Sequence, residues 1–251
     1  MAFNKNSNGY TFLFSIIMVV LVGAILAYTS LSLKPLQKAN ATEKKMMNIL
    51  GAIGVPSERG AVEAKFVDFV KERISIDSEG RKVSGMSGTV DSGNADDPFN
   101  IDVQKDFRSK APASELTFPL FACNKEGKDL YVVPVVGKGL WGPIWGYVAL
   151  ESDMETIYGA VFDHKTETPG LGAEIKDIPF QEKFSDPDDV KKIQHVEPHF
   201  AVVKSGLKTN EYSVDGITGG TITSKGVDEM LNRTMGIYLK YFNNASQRAE
   251  R

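Results

Sequence analysis

The hydrophobic pattern changes character along the chain. From Thr11 to Leu33 the sequence TFLFSIIMVVLVGAILAYTSLSL is mostly apolar, and no charged residue occurs from Asn6 to Leu33. At about 1.5 Å of rise per residue such a run makes a helix of roughly 34 Å, matched to a hydrocarbon core of about 30 Å. A membrane-spanning helix is therefore predicted over 11–33, behind a short tail of residues 1–10. A cleavable signal would carry only about 7 to 15 apolar residues and end at a small-residue cleavage site; the exit Leu31-Ser32-Leu33-Lys34-Pro35 offers no such site. Beyond it, Leu36, Ala39, Met46, Ile49, Leu50 and Ile53 recur near helical spacing until Gly54 and Pro56, which predicts an amphipathic helix continuing out of the membrane.

A second short helix is expected over SERGAVEAKFVDFVKERI, with Val62, Phe66, Phe69 and Val70 on one side. The stretch from Ser75 to Ala113, rich in Gly, Ser, Asp and Lys, alternates too weakly for firm assignment and is expected to be loops with short strands. From Leu116 the runs LTFPLFACN, KDLYVVPVVG, WGYVALES and IYGAVFDHK follow one another at hairpin spacing, each bounded by turn or charged residues. They predict an antiparallel sheet. HFAVVKSG adds a strand, and a final helix is expected from about Lys225 to Asn244, with Val227, Met230, Leu231, Thr234, Tyr238, Leu239 and Phe242 in one stripe. The expected class is α+β: one transmembrane helix, a helical and loop-rich part over 34–113, and a sheet-bearing part over 114–251, together one soluble domain.

Composition narrows the function. With 29 basic and 32 acidic residues the net charge is -3, which gives no footprint for nucleic acid. A single cysteine, Cys123, excludes an internal disulfide and any four-thiolate metal or iron-sulfur site, and three histidines are few for a metal enzyme. No metal ligand set and no catalytic side chain is assigned. The lysine count, with Lys5 on one flank of the span and Lys34, Lys38, Lys44 and Lys45 on the other, by itself favours a cytoplasmic C-terminal domain.

Three glycine-rich segments carry candidate chemistry. In GKGLWGPIWGY (Gly137 to Tyr147), Leu140 and Trp141 lie between glycines, as a hairpin turn or as a flat apolar wall for a planar ligand. In HKTETPGLGAEI (His164 to Ile175), Thr168-Pro169-Gly170 is a turn, Leu171 sits between Gly170 and Gly172, and His164 with Glu167 forms a conceivable acid/base pair. In VDGITGGTITSKGVDEM (Val214 to Met230), Thr221, Thr223 and Ser224 precede the expected helix, where Thr223 or Ser224 suits an N-cap and the helix start suits a phosphate. The glycine spacing matches neither nucleotide-hydrolase nor dinucleotide loops.

Taken in this order behind an N-terminal span, the three segments resemble the family of the C subunit of the bacterial sodium-translocating NADH:quinone oxidoreductase (Na+-NQR). The marks are GKGLW (Gly137 to Trp141), TETPGLG (Thr166 to Gly172) and the flavin-attachment motif, usually S-G-A-T-x-T-S, present here as Thr218-Gly219-Gly220-Thr221-Ile222-Thr223-Ser224. Threonine at 218 and glycine at 220 depart from that pattern. The resemblance implies an FMN-binding domain over 114–251, with FMN joined through its phosphate to Thr221, or to Thr223 as fallback, by a separate flavin transferase. It also implies that Gly219, Gly220 and Gly172 shape the site while Leu140, Trp141, Thr168 and Leu171 pack around the isoalloxazine. The activity implied is that of one subunit of NADH:ubiquinone reductase (Na+-transporting): electron transfer in a complex that oxidises NADH, reduces quinone and pumps sodium, with the other subunits and the lipid bilayer as partners. The implied location is the cytoplasmic membrane, with the domain on its outer side, against the lysine count. Two rivals are the flavin subunit of the related ferredoxin:NAD electron-transport complex and a flavin-free tethered scaffold.

Overall fold

The structure is a computed structural model that describes residues 7–249; the first six residues of the expected tail, with Lys5, lie outside them. The chain divides into two units, Met1–Lys44 and Lys45–Arg251. Helix α1 (Asn8–Ala52) includes the apolar run, whose most apolar window of 18 residues has a mean hydropathy of 2.5 and is not buried. That helix is long and apolar enough to cross a membrane. Its last turns belong to the second unit, where Met46, Ile49, Leu50 and Ala52 are buried.

The second unit is built on a six-stranded antiparallel sheet in the order β2-β1-β3-β4-β5-β6: β1 (Val70–Ile76), β2 (Lys82–Met86), β3 (Phe118–Lys125), β4 (Lys128–Lys138), β5 (Pro143–Leu150) and β6 (Ile157–His164). Both faces are covered. On one face Ile74, Leu120, Val133, Val135, Ile144, Val148 and Phe162 pack with Val227, Met230, Leu231, Met235, Tyr238 and Phe242 of the last helix, α5 (Thr221–Ala249). On the other, Phe121, Val132, Tyr147 and Ala149 pack with Ile49, Leu50 and Ile53 and with Val62 and Phe66 of α2 (Val62–Phe69). Neighbours such as Val132 and Val133 thus enter different cores, which is why the strands read as continuous apolar runs and not as alternations.

The expected α+β class with an antiparallel sheet and flanking helices is found. Three local expectations are corrected. The second helix ends at Phe69, and the following VKERISI is strand β1. It is held beside a loop by Arg73, 1% exposed, whose Nε and Nη2 both lie 2.8 Å from the Asp97 carboxylate. Between Ser75 and Ala113 the chain also forms a helix, α3 (Val103–Ser109), N-capped by Asp102, which accepts from Lys105 N. Finally, α5 begins at Thr221, four residues before Lys225. A small parallel pair, β7 (Ala201–Val203) with β8 (Ser213–Asp215), leads into it.

Candidate functional site

Three segments meet at one end of the sheet because of its register. The last β4–β5 pair is Lys138 with Pro143, so Gly139–Gly142 is a tight turn, closed by Gly139 N donating to Gly142 O at 2.8 Å. His164 ends β6 opposite Ile144, so the chain from Lys165 leaves at the same end. Helix α5 brings its first turns there as well. A Cβ on Gly137 would lie 2.7 Å from Met230 Cβ, and one on Gly226 would overlap the Lys138 carbonyl, so glycine at both positions lets helix and strand touch.

Glu167 joins the three. Although a carboxylate, it is 4% exposed. It accepts from Trp141 N at 2.8 Å and Leu140 N at 3.3 Å in the turn, and from Thr223 Oγ1 at 2.6 Å in the first turn of α5. Burial opposes its ionisation, but the bonds from the Thr223 hydroxyl and from the amides of Trp141, Leu140 and Gly142 outweigh it and hold the carboxyl below its ordinary range. Room for this arrangement comes from glycine. A Cβ on Gly139 would stand 2.6 Å from Glu167 Oε1, and one on Gly172 would stand 2.6 Å from Oε2 and overlap the Thr223 hydroxyl. The conceivable His164–Glu167 acid/base pair does not form side chain to side chain: Glu167 donates its backbone N–H to His164 Nδ1 at 3.2 Å, and the carboxylate is spent on the turn and the helix.

Beside Glu167 lies an open cleft of about 240 Å³. Its walls include Leu140, Thr168, Leu171 and Gly172, and its floor Gly219, Gly220 and Thr221. Leu140, Leu171 and Ile222 are 47%, 42% and 55% exposed, an apolar rim that a protein surface covers with a ligand or partner more often than it leaves bare. Gly219, at φ +76°, makes the turn into the helix, and a Cβ there would stand 2.6 Å from Leu171 Cδ2. A second, narrower cavity of about 70 Å³ reaches Thr221 from another side, lined by Lys204, Ser205, Ile217, Ser224 and Lys225 among others.

Of the site residues expected from sequence, Leu140, Thr168, Leu171, Gly172, Gly219, Gly220, Thr221 and Thr223 line the one cleft. Trp141 does not. Its backbone is tied to Glu167 while its side chain is 66% exposed outside the lining. The two threonines differ in kind: Thr221 is exposed and its hydroxyl has no bonding partner among the described residues, whereas Thr223 is 2% exposed and committed to Glu167. Neither expected N-cap forms. Ser224 N donates to Gly220 O at 2.9 Å, which makes Thr223 and Ser224 first-turn residues, and the Ser224 hydroxyl accepts instead from Ile217 N at 2.9 Å.

The geometry fits a flavin mononucleotide. Apolar walls suit a planar ring, and the first N–H groups of a long helix beside a free hydroxyl suit its phosphate. A family model described as an FMN-binding domain matches residues 139–236, the span that holds the whole cleft. The C subunit of the Na(+)-translocating NADH-quinone reductase from Vibrio anguillarum is 31% identical over 246 residues, covering 94% of this chain and 93% of that one. The chain belongs to the family of the C subunits of these reductases. Its Haemophilus ducreyi member is 29% identical over 243 residues, 93% of this chain and 92% of its own. Among solved structures, the corresponding protein from Parabacteroides distasonis is 40% identical, with a TM-score of 0.70 over 83% of this chain and 96% of its own. Shewanella oneidensis NqrC, 24% identical with a TM-score of 0.66 over 83% of this chain and 99% of its own, shares the fold. Membership makes this chain a flavin-binding subunit of an NADH-quinone reductase complex, with the other subunits as partners.

Proposed function

We propose that this chain carries FMN covalently, as a phosphoester on Thr221, and passes electrons within a complex that couples NADH oxidation and quinone reduction to sodium transport. The observation that carries the reading is the contrast between the two candidate acceptors: the Thr221 hydroxyl is exposed at the junction of two cavities, while that of Thr223 is buried and held by Glu167. The bound FMN supplies the redox chemistry.

The protein's part is positional. Leu140, Thr168 and Leu171 flank the ring, and Gly219 and Gly220 keep the approach to Thr221 open. The start of α5 favours the phosphodiester's remaining negative charge by about 0.3 to 1 kcal/mol, and Lys204 and Lys225 add positive charge beside it. Maturation requires a separate flavin transferase: the Thr221 oxygen gives up its proton and bonds to the FMN phosphorus of a flavin dinucleotide, whose diphosphate P–O bond breaks as the nucleoside monophosphate leaves. The α1 helix spans the lipid bilayer of the bacterial cytoplasmic membrane once, with the soluble domain on the outer side. With no charged residue from Asn6 to Leu33, the span alone offers no ion path, so sodium crosses elsewhere in the complex.

Intact-mass measurement of the full chain coexpressed with the transferase tests the reading. The wild type should carry one FMN, and Thr221→Ala none while remaining folded. An adduct surviving in Thr221→Ala but missing in Thr223→Ala would transfer the assignment to Thr223.

A further inference from the structure

The most heavily bonded polar group at the cleft is also the one that touches all three of its segments. Glu167 lines the cavity, and its carboxylate binds the backbone of Leu140 and Trp141 on one side and the Thr223 hydroxyl on the other. No cationic side chain is within ion-pair distance of it among the described residues; all its partners are neutral N–H and O–H dipoles. Such dipoles keep the charge in place without cancelling it. A buried, uncompensated negative charge acts at short range with little solvent screening.

We propose that Glu167 is the positioning residue of the flavin cleft, fixing the 139–142 turn against the first turn of α5 and presenting a permanent negative charge that opposes the arrival of electrons in the cleft. This rests on the assignment of a flavin to the cleft. Two jobs are separable. As an acceptor of three or more bonds, Glu167 holds Leu140 and the start of α5 in register, so the apolar wall and the attachment residue keep their spacing. As a charge, it disfavours added negative charge on its neighbour and lowers the reduction potential. Glutamine has nearly the same shape and can still accept from Trp141 N, while its amide nitrogen can donate to Thr223 Oγ1, so Glu167→Gln removes the charge and spares most of the geometry. Thr223→Val does the converse: it removes one bond and keeps the charge.

The test is potentiometric titration of the covalent flavin on the full-length chain in detergent, for wild type, Glu167→Gln and Thr223→Val, with flavin occupancy read by intact mass. The backbone amide proton of Trp141, followed by NMR, reports the bond itself. Glu167→Gln should keep its flavin, shift the midpoint potential upward and move the Trp141 amide signal upfield, as a neutral acceptor replaces a charged one. Thr223→Val, which loosens the hold on α5 but keeps the charge, should shift the potential less than Glu167→Gln does and leave the Trp141 amide signal close to its wild-type position. Should Glu167→Gln fail to fold, Glu167→Leu combined with Thr223→Val removes both partners of the buried side-chain bond and carries the same test. Equal shifts in the charge-removing and charge-keeping variants, or none in either, would overturn the proposal. A wild-type chain without flavin would instead defeat the function proposed above, and this inference with it.

Discussion

Thr223→Val is the substitution on which the packing argument can be weighed most directly. The side chain is 2% exposed, so valine fills the same space, creates no cavity and suits a β-branched position. What is lost is one hydrogen bond of 2.6 Å to a buried carboxylate. A bond to a charged group contributes about 1.5 to 3 kcal/mol. A domain of this size should then melt about 3 to 12 °C lower at neutral pH, from roughly 2 to 4 °C per kcal/mol. The loss should depend on pH, with a definite sign. Glu167 is held below its ordinary titration range in the folded chain, so its bonds stabilise the fold above the unfolded carboxylate value and lose that contribution as pH falls through the lower, folded one. Because Thr223 supplies part of that depression, the gap between wild type and variant should be full at pH 7 and narrow in acid. Chemical denaturation of both full-length chains in the same detergent, at pH 7 and at several acid values, measures it. A gap below about 0.5 kcal/mol at pH 7, the scatter of an ordinary surface change, or one that does not narrow in acid, would refute the claim that this bond serves an ionised Glu167.

Leu171→Ala should remove a wall of the cleft and so change both the flavin's potential and its fluorescence anisotropy, whereas Trp141→Ala should leave both nearly unchanged, since only the Trp141 backbone participates; equal effects would place the indole in the site. Lys45, whose ammonium donates to Phe99 O and Ile101 O, titrates near 8 because burial, only partly offset by Asp102 and Asp97, disfavours its charge. Between about 8 and its ordinary 10.5 the unfolded chain binds the extra proton, so stability should rise with pH across that window, and Lys45→Met should flatten the rise in a denaturation series. A phosphatase reporter fused after Arg251 should be active only outside the cytoplasm; a cytoplasm-only reporter, such as a fluorescent protein that folds there, giving signal instead would reverse the orientation.

The sequence is legible where burial is two-sided or the pattern long. The apolar run and the stripe on the last helix are hard to misread, because α5 keeps Val227, Met230, Leu231, Tyr238, Leu239 and Phe242 against the sheet over about four turns. The doubly covered strands β4 to β6 stand out as apolar runs between turns. Strand β1 does not. Its sequence VKERISI carries three charged residues and adjoins a true helix, and only the remote Asp97, with backbone carbonyls of the following loop, makes it possible to bury Arg73 in a strand. Long-range partners of this kind leave no local period to read.

The site divides in the same way. Its glycines, threonines and leucines are marked by turn chemistry and family pattern, but the carboxylate that binds them together reads in the sequence only as half of an acid/base pair. The signal lies in the glycines themselves. Gly139 and Gly172 are 33 residues apart in sequence and neither has a positive φ, so backbone conformation does not demand glycine at either. Each is instead a place where a side chain would collide with Glu167, and Gly172 would also meet the Thr223 hydroxyl. Glycines packed against a lone acidic residue where no positive φ requires them are therefore a trace of a buried carboxylate, and the N-cap reading of Thr223 fails for the same reason. A hydroxyl close to its own helix start has two competitors, the local backbone and any buried anion within reach. The anion wins, since a bond to a charge is worth about twice a neutral one. With Thr223 withdrawn from the surface by that bond, the proposed attachment falls to Thr221, the exposed threonine that opens α5.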